Sequence, residues 1–425
     1  MRRDLDGDFA LTDLCRIDAA VASPTKPHRG LVTAAYEHQL WRLDLPTDDR
    51  LLGWTAPVDT PDVDSEPSES DLALLHAFEV CGLWHPPVSD NLNGLSAPRA
   101  YAWLAIANRW ILLSYTSGDL RLLNTACKLI GAVWTRWHTP ADDAWPSIAK
   151  PLARTARLLN DATHSLTERL KRYSPPTPAA VPTTPFWPAP AAPATPVILV
   201  LAGAGSTGAQ QFLADLPQPS RVTAVCWYAA PDNAIPEGSA YASAWYPPEA
   251  PTTALARQTQ THPPKSQQHL AGNWDDVTGI IRHHRADLLV LIGMPIVPTQ
   301  VLRHARLGVI NAHNGALPQY RGMDAVGWAV LNNDPIVCTA HKAVAAVDQG
   351  NILATQTVPW GPPAGLRSRV KAAQLDLLQA VMLHTAATGR LPEGGPQGPG
   401  RQYYRLHPHL KRVLDTWAGN LSKRT

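Results

Sequence analysis

Cysteine, charge and uninterrupted apolar runs are all scarce in this chain, and each scarcity argues against a class of protein. The five cysteines (Cys15, Cys81, Cys127, Cys226 and Cys338) are odd in number, far apart and without a C-x-x-C pair. That pattern speaks against a disulfide framework and a zinc site, and it fits reduced thiols in the cytoplasm. Charged residues make up only 17% of the sequence and leave a net charge of +2. So balanced a composition gives no electrostatic case for nucleic acid or an anionic membrane as partner. The most apolar stretch, AYAWLAIANRWILLSY, is broken by Asn108 and Arg109, so it is not expected to span a membrane. The N-terminus, MRRDLDGDFALTD, turns acidic where a secretory signal would turn apolar. A soluble, cytoplasmic protein is expected.

What the chain does contain is organised in two textures. With 425 residues, 45% of them hydrophobic, it can bury two cores. The boundary is SPPTPAAVPTTPFWPAPAAPATP, residues 174–196, where prolines deny backbone donors and fix φ. This segment reads as a semi-rigid spacer whose Phe186 and Trp187 dock on a flanking domain. Residues 1–173 read as an all-α domain with a loop-rich front edge. Ser96 caps a helix running from Pro98 to Tyr115, Ser117-Gly118 interrupts, and Leu120, Leu123, Ala126, Cys127, Ile130 and Trp134 recur at helical spacing. Another helix is expected from Ile148 to Tyr173. The tryptophans of this half (Trp41, Trp54, Trp84, Trp103, Trp110, Trp134, Trp137, Trp145) read first as core packing. The residues His76, Glu79 and His85 form no metal-ligand spacing. A docking surface for a bulky substrate or carrier protein, dimerisation with a second subunit, or a second catalytic site are the alternative roles for this domain.

Residues 197–360 alternate apolar strands with helices: VILVLA from Val197, VTAVCWY from Val222, a helix capped by Asn273, DLLVLIG from Asp287, and LGVINAH. Such alternation predicts a doubly wound, mostly parallel α/β sheet with its ligand site beyond the strand C-termini. Residues 361–425 hold one helix-like stretch, Arg367–His384, and a Gly/Pro-rich tail.

Two stretches carry candidate chemistry. GAGSTG (203–208) follows a strand and matches the dinucleotide fingerprint, but the first acid after the next strand is Asp232, past its end. A tight turn opening a helix, able to hold an anionic group, is the preferred reading over NAD binding. VINAHNGALPQYRGMD places Asn311 and His313 two residues apart, on one face of a strand end. An amide donor beside an imidazole suits acyl transfer, the Asn meeting a developing oxyanion and the His moving a proton. AVDQGNIL adds Asp348, a carboxylate that would orient the imidazole and raise its pKa.

These residues lie in ordered motifs that resemble the formyltetrahydrofolate-dependent formyltransferases, over about residues 196–360. ADLLVLIGMPIVP resembles the family strand and loop at the folate wall. VINAHNGALPQYRG resembles its Asn-x-His…Leu-Pro…Gly signature. CTAHKAVAAVDQGNIL resembles its segment with a His seven residues before the catalytic Asp. The resemblance implies Asn311, His313 and Asp348 as the catalytic trio, with His341 in support. It implies Met294, Pro295, Ile296 and Val297, with Val344, Ala345, Ala346 and Val347, as the pterin-pocket lining, with 10-formyltetrahydrofolate as donor and no metal. It implies an acceptor amine near Gly205 and Ser206, Asn314, Gly315 and Arg321. Asn314-Gly315 departs from the Pro-Ser of many members, which leaves the substrate side open. Residues 361–425 are too short for the C-terminal barrel of the tRNA enzymes, so a small-molecule amine is expected in place of tRNA. The expected mechanism has Asn311 and protonated His313 stabilising the oxyanion while Asp348 holds the imidazole. Hydrolysis of the donor, or a non-catalytic folate-binding scaffold, are the alternatives.

Overall fold

The computed structural model describes residues 66–69, 71–72, 75–76, 79, 97–137, 145–172, 195–217, 221–229, 266–359 and 365–422. The expectations for the loop-rich front edge, for Phe186 and Trp187 in the spacer, and for the side chains of Trp41, Trp54, Trp84, Trp134, Trp137 and Trp145 fall outside these residues. The described chain divides into two compact units, one with residues up to 172 and from Tyr404 onward, the other with residues 195 to 403.

The first unit is helical. α1 (Ala97–Ser117) ends where Gly118 adopts a positive φ of 71°, and α2 (Leu120–Trp137) starts directly after it. The Asp119 carboxylate accepts from the Arg121 N–H at 3.1 Å and caps that start. α3 (Trp145–Lys171) ends in basic residues suited to a helix C-terminus. Trp103 and Trp110 are buried in this core, as expected. His76 is exposed and Glu79 is buried. Arg109, which interrupts the apolar run of α1, has a partner: its Nε and Nη2 donate to Asp71 at 2.9 and 2.8 Å. The Asp71 side chain is fully buried and also accepts from Trp110 Nε1. Breaking such a pair leaves a buried charge uncompensated. Asp71→Ala is therefore expected to destabilise the helical unit by about 3 kcal/mol in denaturant unfolding. A helix at 408–422, which the sequence reading leaves as tail, completes the unit. Asn124 ties down the chain leading into it, accepting from the His407 N–H at 2.6 Å and donating to the Arg405 carbonyl at 3.2 Å.

The second unit is built on a seven-stranded sheet. In chain order it runs β1 (Ile198–Gly203), α4 (Thr207–Ala214), β2 (Ala224–Tyr228), β3 (Gln267–Ala271), α5 (Trp274–His284), β4 (Leu288–Ile292), α6 (Thr299–Leu302) and β5 (Gly308–His313). It continues through β6 (Arg321–Gly322), α7 (Ala325–Leu331), β7 (Val337–Lys342), β8 (Ile352–Thr357), α8 (Leu366–Thr388) and β9 (Gln402–Tyr403). The strand order is β3-β2-β1-β4-β5-β7-β8. β1 to β5 pair in parallel, while β7 and β8 add antiparallel strands. β1, β2 and β4 are buried along almost their whole length, which explains their continuous apolar sequence. The order reverses between β1 and β4, the position where doubly wound sheets open a ligand crevice. Asn273 caps α5 through Asp275 and Asp276, as its sequence predicts. β6 and β9 form a separate parallel two-stranded pair, which ties the end of the Gly/Pro tail to the segment that follows β5.

Candidate functional site

The pairing of β5 with β7 sets the site. Asn311 lies opposite His341, and His313 lies opposite Thr339. The loop after β7 then turns back, and Asp348, at a positive φ of 53°, brings its carboxylate to both histidines. Oδ2 is 3.4 Å from His313 Nδ1, and Oδ1 is 3.4 Å from His341 Nε2. The same Oδ2 accepts from the Gly322 N–H at 3.0 Å. The four residues expected from the sequence to act together therefore meet.

Their hydrogen bonds fix their roles further. A carbonyl can only accept, so His313 Nε2 donates to the Tyr320 carbonyl at 2.6 Å, leaving Nδ1 as the proton-accepting atom beside Asp348. By the same reasoning His341 Nδ1 donates to the Lys342 carbonyl at 3.1 Å. His341 Nε2 then accepts from Asn311 Nδ2 at 3.3 Å, a bond that orients the amide and uses one of its two N–H groups. His341 is thus a neighbour of the amide as well as of the carboxylate.

Electrostatics correct one expectation. Burial pushes His313 below its ordinary pKa and outweighs the lift from Asp348 and the Tyr320 carbonyl, with His341 lowering it further. The resting imidazole is therefore neutral at pH 7, not the imidazolium that the nearby carboxylate suggests from sequence. Burial also works to raise Asp348, but the charge that His313 carries once it is protonated, together with the Gly322 N–H, acts the other way and brings the carboxyl down to about 2. The carboxylate is therefore ionised at pH 7.

The other expected residues divide. Met294 and Asn314 line a cavity of about 290 Å³, together with Gly293, Asn311, Ala312, Arg367, Lys371 and Gln374. Ile296 and Val344 are 54% and 40% exposed, apolar side chains on the two loops that the resemblance offers for a pterin, where Ala345 and Ala346 are exposed too and Val347 is half-buried. Pro295 is exposed and Val297 is buried in the core. Gly205 takes a positive φ of 83° in the turn after β1, and Ser206 Oγ caps α4 by accepting from the Ala209 N–H at 3.2 Å. Lys371 lies over the first turn of that helix, where a Cβ on Gly208 would come within 2.7 Å of its Nζ. Tyr228, at the end of β2 where a dinucleotide site would carry its acid, is stacked on Trp274 at 4.3 Å. Arg321 is buried, and its guanidinium donates to Gln397 and to the Gly398 carbonyl. Among the described residues no group of three or more His, Cys, Asp or Glu side chains could hold a metal ion, and no helix is long and apolar enough to cross a membrane.

Gly315 has a steric reason. A Cβ there would lie 2.7 Å from each of His313 Nε2, the Tyr320 carbonyl and Ala325 Cβ. Gly315→Ala should displace the imidazole, destabilise the unit by about 1–3 kcal/mol and reduce turnover by up to about a hundredfold. Thermal unfolding and steady-state kinetics would measure the two effects.

Sequence reading missed Arg367, Lys371 and Gln374. They stand at i, i+4 and i+7 on α8, a polar stripe of helical period that was there to be read. Gln374 also donates to the Ala312 carbonyl at 2.8 Å, tying the helix to the strand end.

Comparison with known proteins bears on the same segment. Residues 197–373 match the family model described as formyl transferase. A methionyl-tRNA formyltransferase of Parabacteroides distasonis is 35% identical over 80 residues, 19% of this chain and 25% of that protein. One from Solibacter usitatus is 30% identical over 113 residues, 25% of this chain and 36% of that protein. The chain thus spans about a quarter to a third of the length of these curated relatives. Among solved structures, glycinamide ribonucleotide transformylase 1 of Symbiobacterium toebii is 22% identical with a TM-score of 0.35, covering 50% of this chain and 95% of that one.

Proposed function

We propose, from the match of residues 197–373 to the formyl transferase family model, that the protein is an N-formyltransferase moving the formyl group of 10-formyltetrahydrofolate to a small anionic amine. The observation that carries this reading is the convergence of Asn311, His313, His341 and Asp348 at the end of β5. The donor supplies an activated formyl carbonyl. Exposed Ile296 and Val344 suit the apolar faces of its pterin, and ordinary hydrophobic burial would hold them together.

Each side chain then has a task. Asn311, held by His341, gives its remaining N–H to the formyl oxygen as negative charge develops there. His313, neutral at rest, takes the proton that the attacking amine must lose and returns it to the donor nitrogen as the formyl carbon–nitrogen bond breaks and tetrahydrofolate leaves. Protonation at Nδ1 turns the facing carboxylate of Asp348 from a neighbour into an ion-pair partner, which stabilises the imidazolium only once it forms. The acceptor enters the cavity beside Asn311 and Asn314, where Arg367 and Lys371 favour an amine that also carries a phosphate or carboxylate. Incubation with 10-formyltetrahydrofolate and a panel of amines, with products followed by mass, tests the proposal. N-formylation of an anionic member is expected. Formate release at the same rate with and without amine would favour a hydrolase.

A further inference from the structure

The loop that carries Asp348 raises a mechanical question. Val344, Ala345 and Ala346 are exposed and Asp348 sits in the left-handed region, yet its carboxylate must stay directed at two buried histidines. We infer that Gln397, in the tail beyond the segment matching the formyl transferase family, is the positioning residue that locks this loop in its working shape.

All the hydrogen-bonding capacity of the Gln397 amide is used. Its Nε2 donates to the Asp348 carbonyl at 2.8 Å and to the Gly350 carbonyl at 2.6 Å. Its Oε1 accepts from Arg321 Nε at 3.0 Å and Nη2 at 2.9 Å. The amide orientation is fixed by these partners, since reversal would set an oxygen against two carbonyls and an NH2 against a guanidinium. Arg321 is itself anchored, Nη2 donating to the Gly398 carbonyl at 3.0 Å and the backbone pairing with β9. The next residue, Gly322, supplies the N–H that holds Asp348 Oδ2. Gln397 therefore grips the loop backbone from one side while Arg321-Gly322 grips its carboxylate from the other. Gly350 leaves no slack, because a Cβ there would fall 1.7 Å from the Lys342 carbonyl. In this arrangement Arg321 acts through the Asp348 loop and not on the acceptor.

The role in turnover rests on the proposed formyl transfer, but the test has a readout independent of it. Gln397→Glu keeps an acceptor for Arg321 while facing two carbonyls with a carboxylate oxygen, and Gln397→Leu removes all four contacts. In both variants the His313 imidazole should titrate at lower pH by NMR, because the carboxylate that lifts it is no longer held. His341 and the Tyr320 carbonyl, the other groups facing the ring, stay in place. Transfer should lose about tenfold to a hundredfold in kcat with KM unchanged. In the wild-type chain the Gly322 amide should exchange slowly with solvent. An unchanged His313 titration in both folded variants, or fast exchange at Gly322, would overturn the assignment. A wild-type chain without transfer would sink the formyltransferase reading, and the His313 titration would then decide the role of Gln397 by itself.

Discussion

Alanine at Asn311 or His313 is expected to abolish most formyl transfer while leaving folate bound. Removing one oxyanion donor costs roughly 2.7–4 kcal/mol of transition-state stabilisation, a loss of about 10²- to 10³-fold in kcat. The proposed mechanism also gives His313 a proton transfer, so His313→Ala should fall in the range of about 10²- to 10⁴-fold. Neither side chain belongs to the two apolar loops that would grip the pterin, so folate affinity should stay near normal in a fluorescence titration. A variant with near-normal turnover would remove its residue from the mechanism.

Asp348→Asn should lose turnover on a similar scale, for a different reason. In the proposed mechanism its carboxylate compensates the charge that arrives on His313 Nδ1, 3.4 Å away, and an amide cannot. About 10²- to 10⁴-fold in kcat is expected. The pH dependence separates this from simple damage. His313 must be neutral to accept the proton, and its folded pKa lies below its ordinary 6.5, so wild-type activity should fall on the acid side with an apparent pKa under that value. Without the carboxylate the limb should move lower still. Stability follows the same signs. The folded state resists protonation at His313 where the unfolded chain does not, so stability declines as pH falls below 6.5. Asp348 adds a second loss between its ordinary 3.8 and about 2, and Asp348→Asn should lack it. An acid limb unchanged by this substitution would show that Asp348 does not face the titrating group.

Much of this site was legible because strand geometry is local. Asn311 and His313 share a face through the two-residue period of β5, and the apolar runs of β1, β2 and β4 announce a buried parallel sheet. Asp348 and His341 needed the whole motif order, since only the β5–β7 pairing brings them to the strand end. Segments such as CTAHK and ILATQT hid their strand character. They lack a dense β-branched run, and their place is set by antiparallel partners that no local pattern names. The net direction of the His313 shift was not readable either, because sequence shows the nearby charge but not the burial that outweighs it. Gln397 is the extreme case. Its contacts with Asp348 and Arg321 span 49 and 76 residues and depend on the two-residue pairing of β6 with β9.

One measurement bears most directly on the claim that this cluster transfers formyl groups to an amine. The donor, labelled with carbon-13 in its formyl group, is mixed with the protein and the acceptors of the anionic panel, and the label is followed by NMR. The label should appear as an N-formyl product of one acceptor, with little free formate, and both signals should vanish in His313→Ala. Label found only as formate, or transfer that persists in His313→Ala, would contradict the claim.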